Sequence, residues 1–110
     1  MVRIAMSAAA SGLLRALIAR AGVPRDRILL TDLLSDDWQS LTFVGERHQL
    51  SLRIAGPDSE AVARRMMLGL EDADFAISGH IVADIAVLSG PKKAGDGSTQ
   101  LSFEALTVAE

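Results

Sequence analysis

An apolar run from Phe75 to Leu88 constrains the fold of this chain more than any other feature. It contains one histidine, His80, and one aspartate, Asp84, and we interpret it as a strand buried on both faces. A strand in a small antiparallel sheet usually alternates apolar and polar side chains, because only one face is covered. Apolar residues on both faces therefore predict a second covering layer, and another subunit is one candidate for it.

Length and composition predict one compact domain spanning residues 1–110. Hydrophobic residues make up 49% and charged residues 23%, which is typical of a globular protein and unlike a disordered chain. Because the chain has no cysteine, it has neither a disulfide framework nor a thiolate zinc site, and we expect a cytoplasmic location. Nine of the eleven cationic residues are arginine and alanine is abundant, a bias that indicates a GC-rich bacterial source.

Charge and hydropathy argue against two classes of partner. The net charge of -3 disfavours nucleic acid, whose phosphates require a clustered basic excess. No apolar run reaches the ~18 residues of a membrane span, so we expect no membrane insertion. Residues 1–25 carry four arginines and no acid, which leaves docking of the first helix on a membrane or a partner as a minor alternative.

The clearest element is a helix over residues 7–21. Gly22 and Pro24 mark its end, and Ser7 or Ser11 can cap its start. Residues 1–6, which precede it, are predicted to be flexible. Its apolar residues recur at three- and four-residue spacing and form one stripe: Ala10, Leu13, Leu14, Leu17, Ile18 and Ala21.

The stretch after this helix predicts a connection and then a hairpin. Residues 23–37 fit either a short strand or a helical turn, and we interpret them as a packed connection. From residue 39 to residue 55 the pattern has a period of two around a centre at Gly45–His48, which predicts a hairpin. Pairing Phe43 with Leu50 places the large apolar groups on one face.

A second helix and a second hairpin repeat this order. The helix begins near Asp58 and carries core residues at helical spacing. The last strand, over residues 99–108, pairs with the apolar run and places Ile85 opposite Phe103. Residues 90–97, rich in glycine and lysine, are predicted to form a mobile loop at the hairpin tip.

The element order is helix, strand, strand, helix, strand, strand, and it predicts an α+β fold. Helices and strands each need to bury one face, and an α-β-β-α-β-β two-layer sandwich satisfies both. It has a four-stranded antiparallel sheet with the two helices on one face. This arrangement resembles a permuted ferredoxin-like fold with the last strand between the second and the third. The resemblance implies a fold alone, because one fold hosts many functions.

Four polar side chains form the sharpest candidate site. His80 and Asp84 stand four residues apart on one strand and therefore point to one face. In the proposed register Asp84 also lies opposite Glu104, and opposed carboxylates raise a pKa, bind a cation or need an arginine such as Arg53. The same four residues could instead form a salt-bridged network at a sheet surface or subunit contact, which we weigh above catalysis.

The same face carries apolar residues, including Val82 and Leu106, that are poorly solvated without a partner. The leading hypothesis is a non-enzymatic domain that self-associates as a homodimer through the sheet face opposite the helices. The alternative is a small-molecule binding protein or enzyme that uses the four polar residues. No motif predicts a catalytic residue, a metal site or a cofactor: His48 falls in a hairpin turn, and Asp36–Asp37 lacks the pattern of a calcium loop.

Overall fold

The structure is a computed structural model, and it describes residues 6–110. It has two helices, α1 (Ala8–Ala21) and α2 (Ser59–Met67), and four strands: β1 (Ile28–Gln39), β2 (Val44–Ile54), β3 (His80–Lys93) and β4 (Thr99–Ala109). All neighbouring strands are antiparallel, and their order in the sheet is β1-β2-β4-β3. The predicted α+β class with a four-stranded antiparallel sheet is confirmed. The predicted flexibility of residues 1–6 lies, except for Met6, outside the described residues.

The two helices cover one face of the sheet. Apolar side chains from α1, α2 and the helix-facing sides of β2 and β4 form one buried cluster. Leu50 lies directly opposite Phe103 in the β2–β4 pair, and both contact this cluster together with Leu13, Leu17 and Met66. The apolar stripe of α1 is therefore inside the core and does not form a docking surface. No helix within residues 6–110 is long and apolar enough to cross a lipid bilayer.

The ends of α1 follow from its sequence. The Oγ of Ser7 accepts a hydrogen bond from the Ala10 amide at 3.1 Å, which is the N-cap that a small hydroxyl residue supplies. Gly22 adopts a left-handed conformation with φ of 68° and ends the helix. Both predicted boundaries are confirmed, and Ser7 rather than Ser11 is the cap.

At the C-terminal ends of the two helices, an arginine from each helix donates hydrogen bonds to backbone carbonyls of the other. Arg20, in the last turn of α1, donates from Nε to the Met66 carbonyl at 3.0 Å and from Nη2 to the Leu68 carbonyl. Arg65, in the last turn of α2, donates in return to the Ala21 carbonyl at 2.6 Å. Each cation satisfies carbonyl groups that the end of a helix leaves without a partner. The two helix ends therefore stabilise each other.

Residues 23–37 are not a packed connection, and this prediction is wrong. After one 3-10 turn at Arg25–Arg27, the chain runs as β1 and pairs with β2 along its length. The pairing steps from Leu30 to Asp32, so Thr31 forms a bulge. The leucines occur as the adjacent pairs Leu29–Leu30 and Leu33–Leu34, so they fall on both faces of the strand, and together with the bulge they hide the period of two.

The first hairpin turns earlier than predicted. Its tip is residues 40–43, closed by a backbone hydrogen bond of 2.9 Å between the first and the last of them. The segment Gly45–His48, predicted to centre the turn, lies inside β2. The predicted pairing of Phe43 with Leu50 is wrong, because Leu33 of β1 takes that place.

The apolar run that begins at Phe75 is two segments rather than one strand. Its first five residues form a turn in which the His80 amide donates to the Ile77 carbonyl at 3.2 Å, and β3 begins at His80. Ile85 is the only fully buried residue of β3, whereas Ile81 is 52% exposed. Strand β3 lies at the edge of the sheet, and within residues 6–110 only its helix-facing side is covered, so burial of its other face by a second layer stays a prediction.

The register of β3 against β4 differs from the prediction by two residues. Ile85 lies opposite Ala105 rather than Phe103. A shift of two preserves the face of each side chain, so Ile85 still faces the core. The register of β3 also shifts at three places, where extra residues have no partner on β4. These are Ala83, Leu88 and the Gly90–Pro91 pair, and each shift breaks the alternation that the predicted register assumed.

The tip of the second hairpin is shorter than the predicted loop over residues 90–97. Strand β3 continues to Lys93, and the turn occupies residues 94–98. The Asp96 carboxylate accepts hydrogen bonds from the Ser98 hydroxyl at 2.6 Å and from the Ser98 amide at 3.0 Å. These bonds lower the pKa of Asp96. The mobility of this tip stays a prediction.

Candidate functional site

The candidate functional surface is the sheet face that the helices leave uncovered, which we call the open face. Directly opposite residues on neighbouring antiparallel strands share a face, so the register defines its members row by row. The row nearest the β1–β2 turn consists of Trp38, Gly45, Val108 and Ile81. This end of the open face is apolar.

His80 and Asp84 lie on opposite faces of the sheet, so the prediction that they share a face is wrong. Val82, two residues after His80, pairs with the buried Thr107 on the helix side. Ala83 then bulges out of the register, and Asp84 falls on the open face. One extra residue reverses the side on which all later residues fall, and sequence spacing does not reveal it.

Asp84 and Glu104 share the open face but are not opposed. Asp84 lies opposite Leu106, and Glu104 lies in the next row, opposite Ala86. Glu104 instead approaches Arg47, with 3.7 Å between Oε1 and Nη1. A long, exposed ion pair of this kind contributes little to stability. The predicted carboxylate pair therefore does not form.

Arg53 lies toward the other end of the open face, opposite Gln100. Gln100 is four residues from Glu104 along β4, a distance of about 13 Å in an extended strand. The Nε of Arg53 is buried and has no hydrogen-bond partner within residues 6–110. The structure therefore brings only part of the predicted set together: Asp84, Glu104 and Leu106 lie in two adjoining rows of the open face, Arg53 lies farther along it, and His80 and Val82 are on the helix side.

A polar cluster that the sequence pattern does not predict surrounds a buried histidine. His48 is 0% exposed; its Nδ1 lies 2.7 Å from the Ser35 Oγ, and its Nε2 lies 2.8 Å from the Thr107 Oγ1. Burial lowers the pKa of His48, and the charge of Glu46 partly opposes this effect. The available signal was its position two residues before Leu50, in phase with the buried residues of β2.

A shallow cavity of about 240 Å³ lies beside this cluster, at the end of the sheet. Asp37, Glu46 and His80 line it, and the first two lie directly opposite each other on β1 and β2. No three His, Cys, Asp or Glu side chains within residues 6–110 are grouped so that they could hold a metal ion. The cavity is smaller than the ~300 Å³ at which ligand sites begin.

A second depression, of about 300 Å³, lies on the open face. Its floor includes Ser51 and Ser102, whose Oγ atoms are 2.8 Å apart. Asp32, Lys92 and Gln100 also line it. Ligand pockets are usually mostly apolar and enclose ~300–1,000 Å³, so this polar depression is at the lower limit.

Exposed apolar side chains border the open face. Leu29 and Leu34 of β1 are 59% and 52% exposed, and Ile81 of β3 is 52% exposed. The tip of the first hairpin adds Leu41, which is fully exposed, and Phe43. Single exposed apolar residues are ordinary, but a set along one face indicates a contact surface.

No protein-family model matches this chain, and no curated protein is similar to it at a significant level. The fold does not supply a function either, because one architecture serves many. The function has to be inferred from the open face and the strands that border it.

Proposed function

We propose that this protein is a non-enzymatic association domain that forms a homodimer through the open face. The observation that carries the proposal is the set of half-exposed side chains Leu29, Leu34 and Ile81, which a second layer would bury. Complete burial of a large aliphatic side chain contributes about 1.5–3 kcal/mol. Because each of these three side chains is about half exposed, burial in an interface would contribute about half of that amount. A second copy is the simplest source of the layer, because a two-fold contact uses the same patch twice.

The charges of the open face support contact with a second copy. Its positive charges are Arg47, Arg53 and Lys92, and its negative charges are Asp32, Asp36, Asp84 and Glu104. A face that carries both signs can complement itself, whereas a face of one sign would repel its copy. The mixture is therefore compatible with self-association.

The size of the open face also supports a dimer. Strands β2 and β4 have 11 residues each. Four strands about 4.8 Å apart, with ~3.3 Å per residue, cover roughly 700 Å². A standard interface buries about 800 Å² per partner. A dimer of standard size would therefore use the whole of the open face.

Light scattering and sedimentation of the full chain test the dimer. We expect the mass of two chains in the micromolar range, and the mass of one chain for Ile81→Lys, which places a charge in the contact. Leu68→Lys is the matched control, because Leu68 is 78% exposed beyond the end of α2 and is not on the open face. A wild-type chain that stays monomeric at high micromolar concentration would contradict the proposal.

Fold type and cellular setting form a further part of the proposal. The topology is a circular permutation of the ferredoxin-like arrangement, and the central position of β2 and β4 supports this. The setting is the bacterial cytoplasm, which the lack of cysteine and the excess of arginine over lysine support. An experimental structure tests the strand order, and fractionation of the source cells tests the location.

Small-molecule binding is the second candidate function. The observation that favours it is the polar depression over Ser51 and Ser102. A compound that binds only the native state raises the melting temperature, so a thermal-shift screen tests this function. A hit that still binds after Ser102→Leu, which fills the depression, would contradict it.

A further inference from the structure

The two edges of the sheet differ in how well they are protected. Within residues 6–110, the strand order leaves one side of β1 and one side of β3 without a neighbouring strand. Bare edges pair readily with other chains, and proteins interrupt them with bulges and prolines. The register of β3 steps three times and the strand contains Pro91, whereas the register of β1 steps once, at Thr31. Strand β1 is therefore the more regular edge.

Most of β1 offers an open template for another strand. From Asp32 to Gln39 it pairs with β2 in unbroken register, and no other strand within residues 6–110 pairs with it. Leu34 is 52% exposed on the open face, and Leu33 is only partly buried on the helix side. An added strand would cover both leucines and would pair with the outward backbone groups.

The charge of this edge indicates which kind of partner would bind to it. Asp32 and Asp36 lie on the open face, Asp37 lies on the helix side, and all three are exposed. Strand β1 contains no lysine or arginine, and none of these carboxylates forms a salt bridge in the described part of the chain. Arg47, which is opposite Asp36, approaches Glu104 instead. As far as the described residues show, the edge therefore presents three carboxylates without a paired cation.

We propose that β1 is a β-augmentation site for an extended, basic segment of a partner protein. On the side of the open face, the segment places two cations four residues apart, beside Asp32 and Asp36, with an aliphatic residue between them beside Leu34. The backbone ladder supplies affinity, and the alternate side chains supply specificity. This site uses the edge of the sheet and goes beyond the proposed homodimer, which uses the open face.

A second copy of the chain fits this edge poorly. Two β1 strands paired across a two-fold axis would bring together three carboxylates from each copy and no cation of either strand. Like charges at opposed positions are destabilising. Pairing of β1 with β3 of another copy would not close on itself, and it would use the edge that is interrupted three times. A partner of opposite charge is therefore favoured.

Capped synthetic peptides and the full chain provide the test. The first peptide contains the sequence Val-Lys-Val-Leu-Val-Lys-Val, in which the two lysines are four residues apart. We expect it to bind with an affinity that falls as salt is added. Binding should also slow hydrogen exchange at alternate amides of Ile28–Gln39, because every second amide of an edge strand points away from its neighbour. A peptide of equal charge, in which proline replaces valine, cannot form the ladder and should not bind in this way.

Two matched double variants locate the site. Asp32→Asn combined with Asp36→Asn removes the carboxylates that face the lysines and should weaken binding about tenfold, the effect of two exposed ion pairs. Asp72→Asn combined with Asp74→Asn removes the same charge from an exposed segment after α2 and should leave the affinity unchanged.

Each of the following results would overturn the proposal. These are no binding of the valine peptide, equal binding of the proline peptide, or protection of amides in a strand other than β1. The Ile81→Lys variant separates this proposal from the dimer, because that variant should bind the valine peptide as the wild type does. A peptide that binds only the dimeric chain would also contradict an independent edge site.

Discussion

At the scale of single residues, Gly45 is the position least tolerant of a side chain. A Cβ there would lie 2.0 Å from the Thr107 carbonyl oxygen and 3.1 Å from the Cα of Val108. Both atoms belong to the backbone of β4, a central strand, so relief requires the sheet to move. We expect Gly45→Ala to lower the free energy of unfolding by about 2 kcal/mol or more, measured in urea. Gly95→Ala is the control, because a Cβ there meets nothing within 4 Å, and an equal loss in both variants would contradict this explanation.

His48 determines how stability changes between neutral pH and mild acid. Burial lowers its pKa below the ordinary value of 6.5 in the folded chain, so the unfolded chain takes up a proton first as the pH falls. This group therefore does not reduce the free energy of unfolding above pH 6.5. Below pH 6.5 the free energy of unfolding decreases as the pH falls, until the folded histidine is protonated as well.

The variant His48→Gln isolates this pH effect. Glutamine can hydrogen-bond to hydroxyl groups but does not ionise, so the decline in the free energy of unfolding between about pH 7 and pH 5 should be smaller than in the wild type. Hydrogen bonds lower the pKa values of Asp58 and Asp96 from 3.8, so their contribution is lost only in stronger acid. Urea titrations over the pH range measure the effect, and an unchanged slope in the variant would contradict it.

At the scale of elements, hydrogen bonds from Arg20 and Arg65 to backbone carbonyls join the C-terminal ends of the two helices. Arg20 reaches the Met66 and Leu68 carbonyls with two different nitrogens, which a lysine cannot do with its single ammonium group. We expect Arg20→Lys to destabilise the fold by about 1–2 kcal/mol in urea denaturation. Arg15→Lys, at an exposed position of the same helix, should change stability by less than about 0.5 kcal/mol. Equal effects at both positions would show that the shared carbonyls are unimportant.

Elements whose signals are local were predictable from the sequence. Ser7 and Gly22 define α1 because capping and the left-handed turn depend on residues within a few positions of each other. The strands were harder to predict. The alternation in β1 is broken at Thr31, and the tip at residues 40–43 has apolar members that resemble strand residues.

The candidate site was less predictable than the fold. A single bulge at Ala83 separates His80 from Asp84, and no residue type in that stretch announces the bulge. His48 was misplaced for a different reason. Its polar neighbours resemble a turn, and its burial depends on hydroxyl partners from two other strands, Ser35 and Thr107.

At the scale of the whole molecule, two phenylalanines show which parts of the chain belong to the buried core. Phe103 is 0% exposed at the centre of the cluster that joins the helices to the sheet, whereas Phe43 is 54% exposed at the first hairpin tip. We expect Phe103→Ala to cost about 3–5 kcal/mol and Phe43→Ala less than about 0.5 kcal/mol. Urea denaturation of dilute protein measures both, and a large loss for Phe43→Ala would place the tip inside the folded core.

The arginines that join the helix ends also have a consequence for folding during synthesis. The carbonyl that the Arg20 Nε binds belongs to Met66, 46 residues further along the chain. A ribosome adds about 5–20 residues per second, so a newly made α1 spends several seconds without this contact. During that interval its apolar stripe is complete, while the central strand β4 that helps to cover it has not yet been made. We therefore expect α1 to become stable no earlier than α2, so that the first helix to be made does not fold ahead of the second.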